Sequence, residues 1–138
     1  MGTAEDWQTK FIEACAPMDI FLLNPRRDNW DASLEQTADN PDLVQQINWE
    51  LEGIERADVV FMYLDPNTKS AISLLELGLC AGRNYSGIYS NKMIVCCPPG
   101  FWRKANVDVT CQRYGIPVYE DFTEAMIQTL NLLTSRAT

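Results

Sequence analysis

Histidine is absent from this chain of 138 residues. Without imidazole there is no Ser-His or Cys-His nucleophile pair and no histidine-ligated metal. Any proton chemistry therefore falls to carboxylates, Tyr, Cys, Lys or water. Positive charge is scarce as well: 11 Lys and Arg stand against 19 Asp and Glu, for a net charge of -8. Affinity for a phosphate backbone comes largely from neutralising it, so a nucleic-acid polymer is not an expected partner. No apolar run approaches the roughly 18 residues that span a bilayer, and MGTAEDWQ has neither the basic nor the apolar region of an export signal. Asp6 stands where a myristoylation motif needs Ser or Thr. A membrane partner is thus not expected either. The C-x-x-C pair is also missing: Cys15, Cys80, Cys96, Cys97 and Cys111 are odd in number and sit mostly within apolar runs. Buried, reduced thiols in a cytoplasmic protein are the expectation.

What is present has an ordinary globular balance, 46% hydrophobic and 22% charged, in a length that suits one domain over residues 1–138. Short apolar runs at Asp19–Leu23, Asp58–Leu64, Met93–Cys97 and Ile116–Tyr119 read as buried strands. Between and around them, helical spacing predicts helices over Thr3–Ala14, Pro41–Arg56, Ser70–Ala81, Asn106–Tyr114 and Asp121–Thr134. The second has Asn40 or Asp39 as its cap and Leu43, Ile47, Leu51 and Ile54 on one face, with Glu50 bordering it. Alternating helices and strands with short connections predict an α/β domain, a doubly wound parallel sheet with helices on both faces. The chain opens on a helix, whereas folds of this kind usually open on the middle strand of the sheet.

The stretch Asp58–Arg83, DVVFMYLDPNTKSAISLLELGLCAGR, sets strand, polar loop and apolar helix in succession. Ligands of open α/β sheets lie outside the carboxyl ends of the strands, where such loops converge. Ile72, Leu74, Leu75, Leu77 and Leu79 cover most of the helix circumference, which predicts a buried helix. Ser73, Glu76 and Cys80 form the remaining stripe. A solvated Glu is the ordinary case on a helix, but a Glu on a buried helix needs a partner, so Glu76 is expected to face a ligand cavity. There it is a candidate nucleophile or general base. Attack on a glycosidic carbon is one such reaction, and it needs no metal or other cofactor. Glu50, Asp28, Asp65, Tyr63 and Ser70 are candidates to assist the leaving group.

The segment ADVVFMYLDPNTKSAISLLELGLCAG resembles the strand, loop and helix of the nucleoside 2-deoxyribosyltransferase-like family, whose catalytic Glu lies in an ELG or EIG motif. LNPRRDNWD, QQINWELEGIERAD and CPPGFWRKANVDVTCQRYGIP are similar to other segments of that family, in the same order, from about Trp7 to Tyr119. The resemblance implies a flavodoxin-like fold and a pentosyltransferase or N-glycoside hydrolase acting on a (deoxy)nucleoside or nucleotide. It implies that Glu76 is the nucleophile, that Glu50 contacts the substrate, and that Asp28, Asn29 and Trp30 help close the pocket. Ser70 stands where the transferases have an Asp that contacts the base. Asp65 and Ser73 complete the predicted substrate-binding set. Family members begin with a strand and a small-residue loop before the first helix, so this chain is expected to lack the usual first strand. A homo-oligomer is implied too, with Phe101-Trp102 as a candidate contact and core packing as its alternative.

Two other readings stand beside the enzyme. A non-catalytic nucleotide-binding or scaffold protein on the same fold accounts for Ser70 and the missing strand. A flavin protein would want small hydroxyl and glycine residues in the loop Asp65–Lys69, which lacks that run.

Overall fold

The computed structural model describes residues 6–26, 33–85 and 93–137. The chain divides into two compact units, Met1–Ala57 and Asp58–Thr138.

In the second unit three apolar segments pair side by side. β1 (Val60–Tyr63), β2 (Met93–Cys96) and β3 (Val118–Tyr119) are parallel and lie in the order β1-β2-β3. Val60 stands opposite Met93, Tyr63 opposite Cys96, and Val95 opposite Val118. Every residue of β2 is buried. Successive side chains of a strand leave opposite faces, so burial of all four means that both faces of the central strand are covered, as a parallel sheet requires. α3 (Ala71–Tyr85) follows β1, α4 (Lys104–Arg113) follows β2, and α5 (Phe122–Ala137) follows β3. Phe122, which opens α5, sets its ring edge-on to Phe61 at 5.8 Å and to Tyr63 at 5.5 Å. The result is the α/β, flavodoxin-like plan predicted above, with a sheet three strands wide among the described residues.

One cation ties this unit together. The Lys104 ammonium donates to the Cys97 carbonyl at 2.8 Å and pairs with Asp108 at 3.1 Å and Glu120 at 3.5 Å. It joins the end of β2, the first two turns of α4 and the segment after β3. Gly115, at φ 71°, ends α4 in the left-handed conformation that lacks a Cβ penalty. The Cys residues are all buried and free. Burial pushes the Cys96 and Cys111 thiols up to about 12 and Cys97 to about 11, the last against the lowering pull of Lys104.

The first unit is built on α1 (Gln8–Cys15) and α2 (Pro41–Arg56). The predicted start of the first helix, Thr3, lies outside the described residues. Phe11 and Cys15 form its buried face. α2 has the predicted bounds, and Asn40 is its cap: Oδ1 accepts from the amides of Asp42 at 3.1 Å and Leu43 at 3.3 Å. Leu43 and Gln46 are its buried residues, while Ile47 and Trp49 are exposed.

Two expectations are corrected. Asp19–Leu23 is not a strand: it has no regular structure, and Phe21 is 89% exposed. A strand exists only through a neighbour's backbone, and the described sheet ends at β1. Leu23 instead lies over Gly53 of α2, where an added Cβ would come within 3.4 Å of its side chain. The second correction concerns α3, which is not buried all round. Leu77, Cys80 and Ala81 face the core, but Ile72 and Leu75 are exposed at 59% and 70%. A helix laid on a narrow sheet packs along one stripe only, whatever the composition of its other sides.

Candidate functional site

The carboxyl end of β1 gathers four of the predicted residues within a dozen positions. Asp65, two residues past the end of β1, is buried. Its Oδ1 accepts the Asn67 amide at 2.8 Å, and its carbonyl accepts the Thr68 amide at 3.1 Å and hydroxyl at 3.3 Å. This Asx turn folds the loop back toward the start of α3. Its hydrogen bonds give Asp65 a structural task that needs no ligand. Ser70 then caps the helix in an unusual way. Its φ is 50°, in the left-handed region that a residue with a Cβ seldom enters, and its carbonyl accepts the Leu74 amide at 3.0 Å. The Ser70 and Thr68 hydroxyls lie 2.8 Å apart. Such strain persists where surrounding bonds over-determine it, and it recurs at binding sites.

From that cap, α3 carries Ser73 in its first turn and Glu76 in its second. Both are half-buried. They share a flank of the helix with Cys80, the three residues being spaced by three and four. Glu76 therefore borders the buried stripe rather than projecting from an enclosed helix. Glu76 is thus a carboxylate held on a helix that begins a few residues past the carboxyl end of a parallel strand, the side-chain type that serves as nucleophile or base where a site needs one.

Glu50 belongs to the first unit. On α2 its Oε1 accepts a hydrogen bond of 2.8 Å from Nε2 of Gln46, which is itself 3% exposed. The Gln46 side-chain oxygen is buried without a hydrogen-bond partner among the described residues. Glu50 is thus oriented by a side chain one turn earlier, a pairing that the i, i+4 spacing makes readable in the sequence. Asp28, Asn29 and Trp30 lie outside the described residues. No group of three potential metal ligands occurs among the described residues.

Phe101 and Trp102, adjacent in sequence, separate in space. Phe101 is 3% exposed and belongs to the core, whereas Trp102 is 47% exposed. The Trp102 indole donates to the carbonyl of Lys69 at 2.9 Å, joining the loop after β1 to the loop after β2. Sequence reasoning passed over this link, since no spacing rule connects positions so far apart.

Three parallel strands, each followed by a helix, define the class: an α/β domain of flavodoxin-like plan. The family profile described as nucleoside 2-deoxyribosyltransferase like matches residues 1–101, most of the chain, with both Glu50 and Glu76 inside the match. The chain belongs to the nucleoside 2-deoxyribosyltransferase-like family. No curated protein sequence matches it. No helix among the described residues is long and apolar enough to cross a membrane.

Proposed function

We propose that the chain cleaves the N-glycosidic bond of a (deoxy)nucleoside or nucleotide with Glu76 as nucleophile. The observation that carries this reading is the position of Glu76: half-buried, on a rigid helix that starts just past the carboxyl end of β1, within the family match. The carboxylate attacks the anomeric carbon while the C–N bond breaks, its electron pair leaving with the base. A second base or a water then attacks the same carbon and releases Glu76. The first acceptor makes the protein a pentosyltransferase, the second an N-glycoside hydrolase.

Glu50 contacts the substrate in this reading, with Gln46 fixing its orientation. Asp65, Ser70 and Ser73 line the pocket, and Asp28, Asn29 and Trp30 help close it. A homo-oligomer in the cytoplasm accompanies the proposal, and light scattering that finds only monomer would remove its oligomeric part. The central test is base release from a panel of deoxynucleosides and their 5′-phosphates. Glu76→Ala is expected to lower turnover about a thousand-fold or more. Full retention of base release sinks the assignment.

A second reading, nucleotide binding without turnover, is favoured by Ser70, which offers a hydroxyl where the transferases have a carboxylate to meet the base. Calorimetry separates the two: tight binding of a nucleotide that the protein never cleaves selects the second.

A further inference from the structure

Gln46 is 3% exposed, and its two amide atoms fare differently. Nε2 donates to Glu50 Oε1 at 2.8 Å, whereas Oε1 is buried with no donor among the described residues. Exchanging the two atoms does not mend this, because it would set an oxygen against the carboxylate and take the donor away from it. A buried acceptor without a donor has lost the hydrogen bonds that water gives it in the unfolded chain, and native proteins keep few such atoms without a reason. The other one described, Gln8 Oε1, belongs to a side chain that is only half-buried.

The position of Gln46 supplies a reason. Leu43, Gln46 and Glu50, spaced by three and four, share one side of α2. The first two are buried and Glu50 is half-buried, so the pair runs from covered to partly open. Glu50 Oε1 takes the Gln46 proton, and no described residue donates to Glu50 Oε2. The amide holds its nitrogen on Glu50, so a donor that meets Gln46 Oε1 lies beside the carboxylate. An amide oxygen and a carboxylate oxygen both accept and neither donates. Their match is a group that gives two protons and takes none. Among the parts of a nucleoside, the exocyclic amino group of a base is such a group: it has two N–H bonds, and its lone pair is drawn into the ring. A sugar hydroxyl gives one proton and also accepts, and a base carbonyl only accepts.

We propose that Gln46 is a specificity residue whose Oε1 accepts one N–H of the exocyclic amino group of a nucleobase, while Glu50 accepts the other. The inference rests on the nucleoside reading given above and deepens it, since it selects adenine, cytosine or guanine over bases that have no amino group.

Calorimetry on Glu76→Ala, expected to hold nucleosides without cleaving them, tests it with pairs of ligands. Deoxyadenosine, deoxycytidine and deoxyguanosine are each compared with the analogue that carries hydrogen in place of the amino group. The amino member of at least one pair is expected to bind about tenfold tighter or more. Adding Gln46→Met, which keeps a similar volume and removes both amide atoms, should bring that ratio to about two, with the affinity of the amino-free analogue unchanged. A residue that only held Glu50 in place would weaken both members of a pair equally, and that result overturns the proposal. Equal binding within every pair before Gln46 is altered overturns it too, as does a chain that binds none of these nucleosides. That first comparison needs no change at Gln46, so a Gln46→Met variant that fails to fold does not remove the test. Base release surviving in Glu76→Ala is the failure of the nucleophile, whereas the amino-group ratio is read from binding, so the two failures show themselves separately.

Discussion

Met93–Cys97 and Asp19–Leu23 are sequences of the same kind: five residues, mostly apolar, each close to proline and polar turn residues. The first supplies the most buried strand of the molecule, with Val95, Cys96 and Cys97 at 0% exposure. The second is irregular chain with Phe21 almost fully exposed. The difference lies in what stands beside them. β2 has β1 on one side and β3 on the other, which satisfy its amides and carbonyls and bring helices over its faces. Residues 19–23 have no strand neighbour among the described residues. An apolar run is thus permission to form a strand, and the neighbouring backbone is what makes one.

Truncation in the two runs should separate them most clearly. Ile94→Ala in β2 removes packed atoms from a closed environment and is expected to cost about 2–5 kcal/mol. Phe21→Ala should change stability by no more than about 0.5 kcal/mol, in line with other exposed positions. Urea unfolding of both variants measures the contrast, and comparable losses would show that Phe21 is buried in the folded protein.

Alkali probes the same pair of runs through their thiols. Cys96 and Cys97 have thiols raised above the ordinary value of 9.0, chiefly by burial, and the other run has none. The folded protein holds these protons more tightly than the unfolded chain, so their contribution is complete below pH 9.0. It is lost as the pH rises toward about 11 and about 12, because the unfolded state ionises first. Unfolding midpoints should therefore fall as the pH rises from 9.0 toward about 12, and the slope in that range should flatten in Cys96→Ala/Cys97→Ala. An unchanged slope would mean that these thiols are not enclosed.

A smaller loss than that of Ile94→Ala is expected at the cap of α2 in the first unit, where the bonds are local. Asn40→Ala removes the acceptor for two amides of α2 and is expected to cost about 1 kcal/mol. Circular dichroism with urea unfolding measures it, and no loss would mean that α2 is held by other contacts.

Particular residues show where the sequence was legible. α2 was readable to its last residue because its signals are local: Asn40 ahead of Pro41, an apolar stripe, and Arg56 in the last turn. Glu76 stood out because the apolar residues around it left a single polar stripe, and the family match includes that segment. Burial of α3 was misread since composition reports which sides could be covered and not how many are. The Lys69–Trp102 link was invisible, being a contact between two loops made neighbours only by the pairing of β1 with β2.

Sequence alone determined what depends on nearby positions: helix spacing, caps, the exclusion of histidine chemistry, and the family to which the ELG segment points. These follow from interactions a few residues long. The tertiary structure decided which apolar runs became strands, which side of α3 was buried, and that the Trp102 indole would reach the Lys69 carbonyl. Each of those depends on a partner distant in the chain, and no local pattern encodes whether that partner is in place.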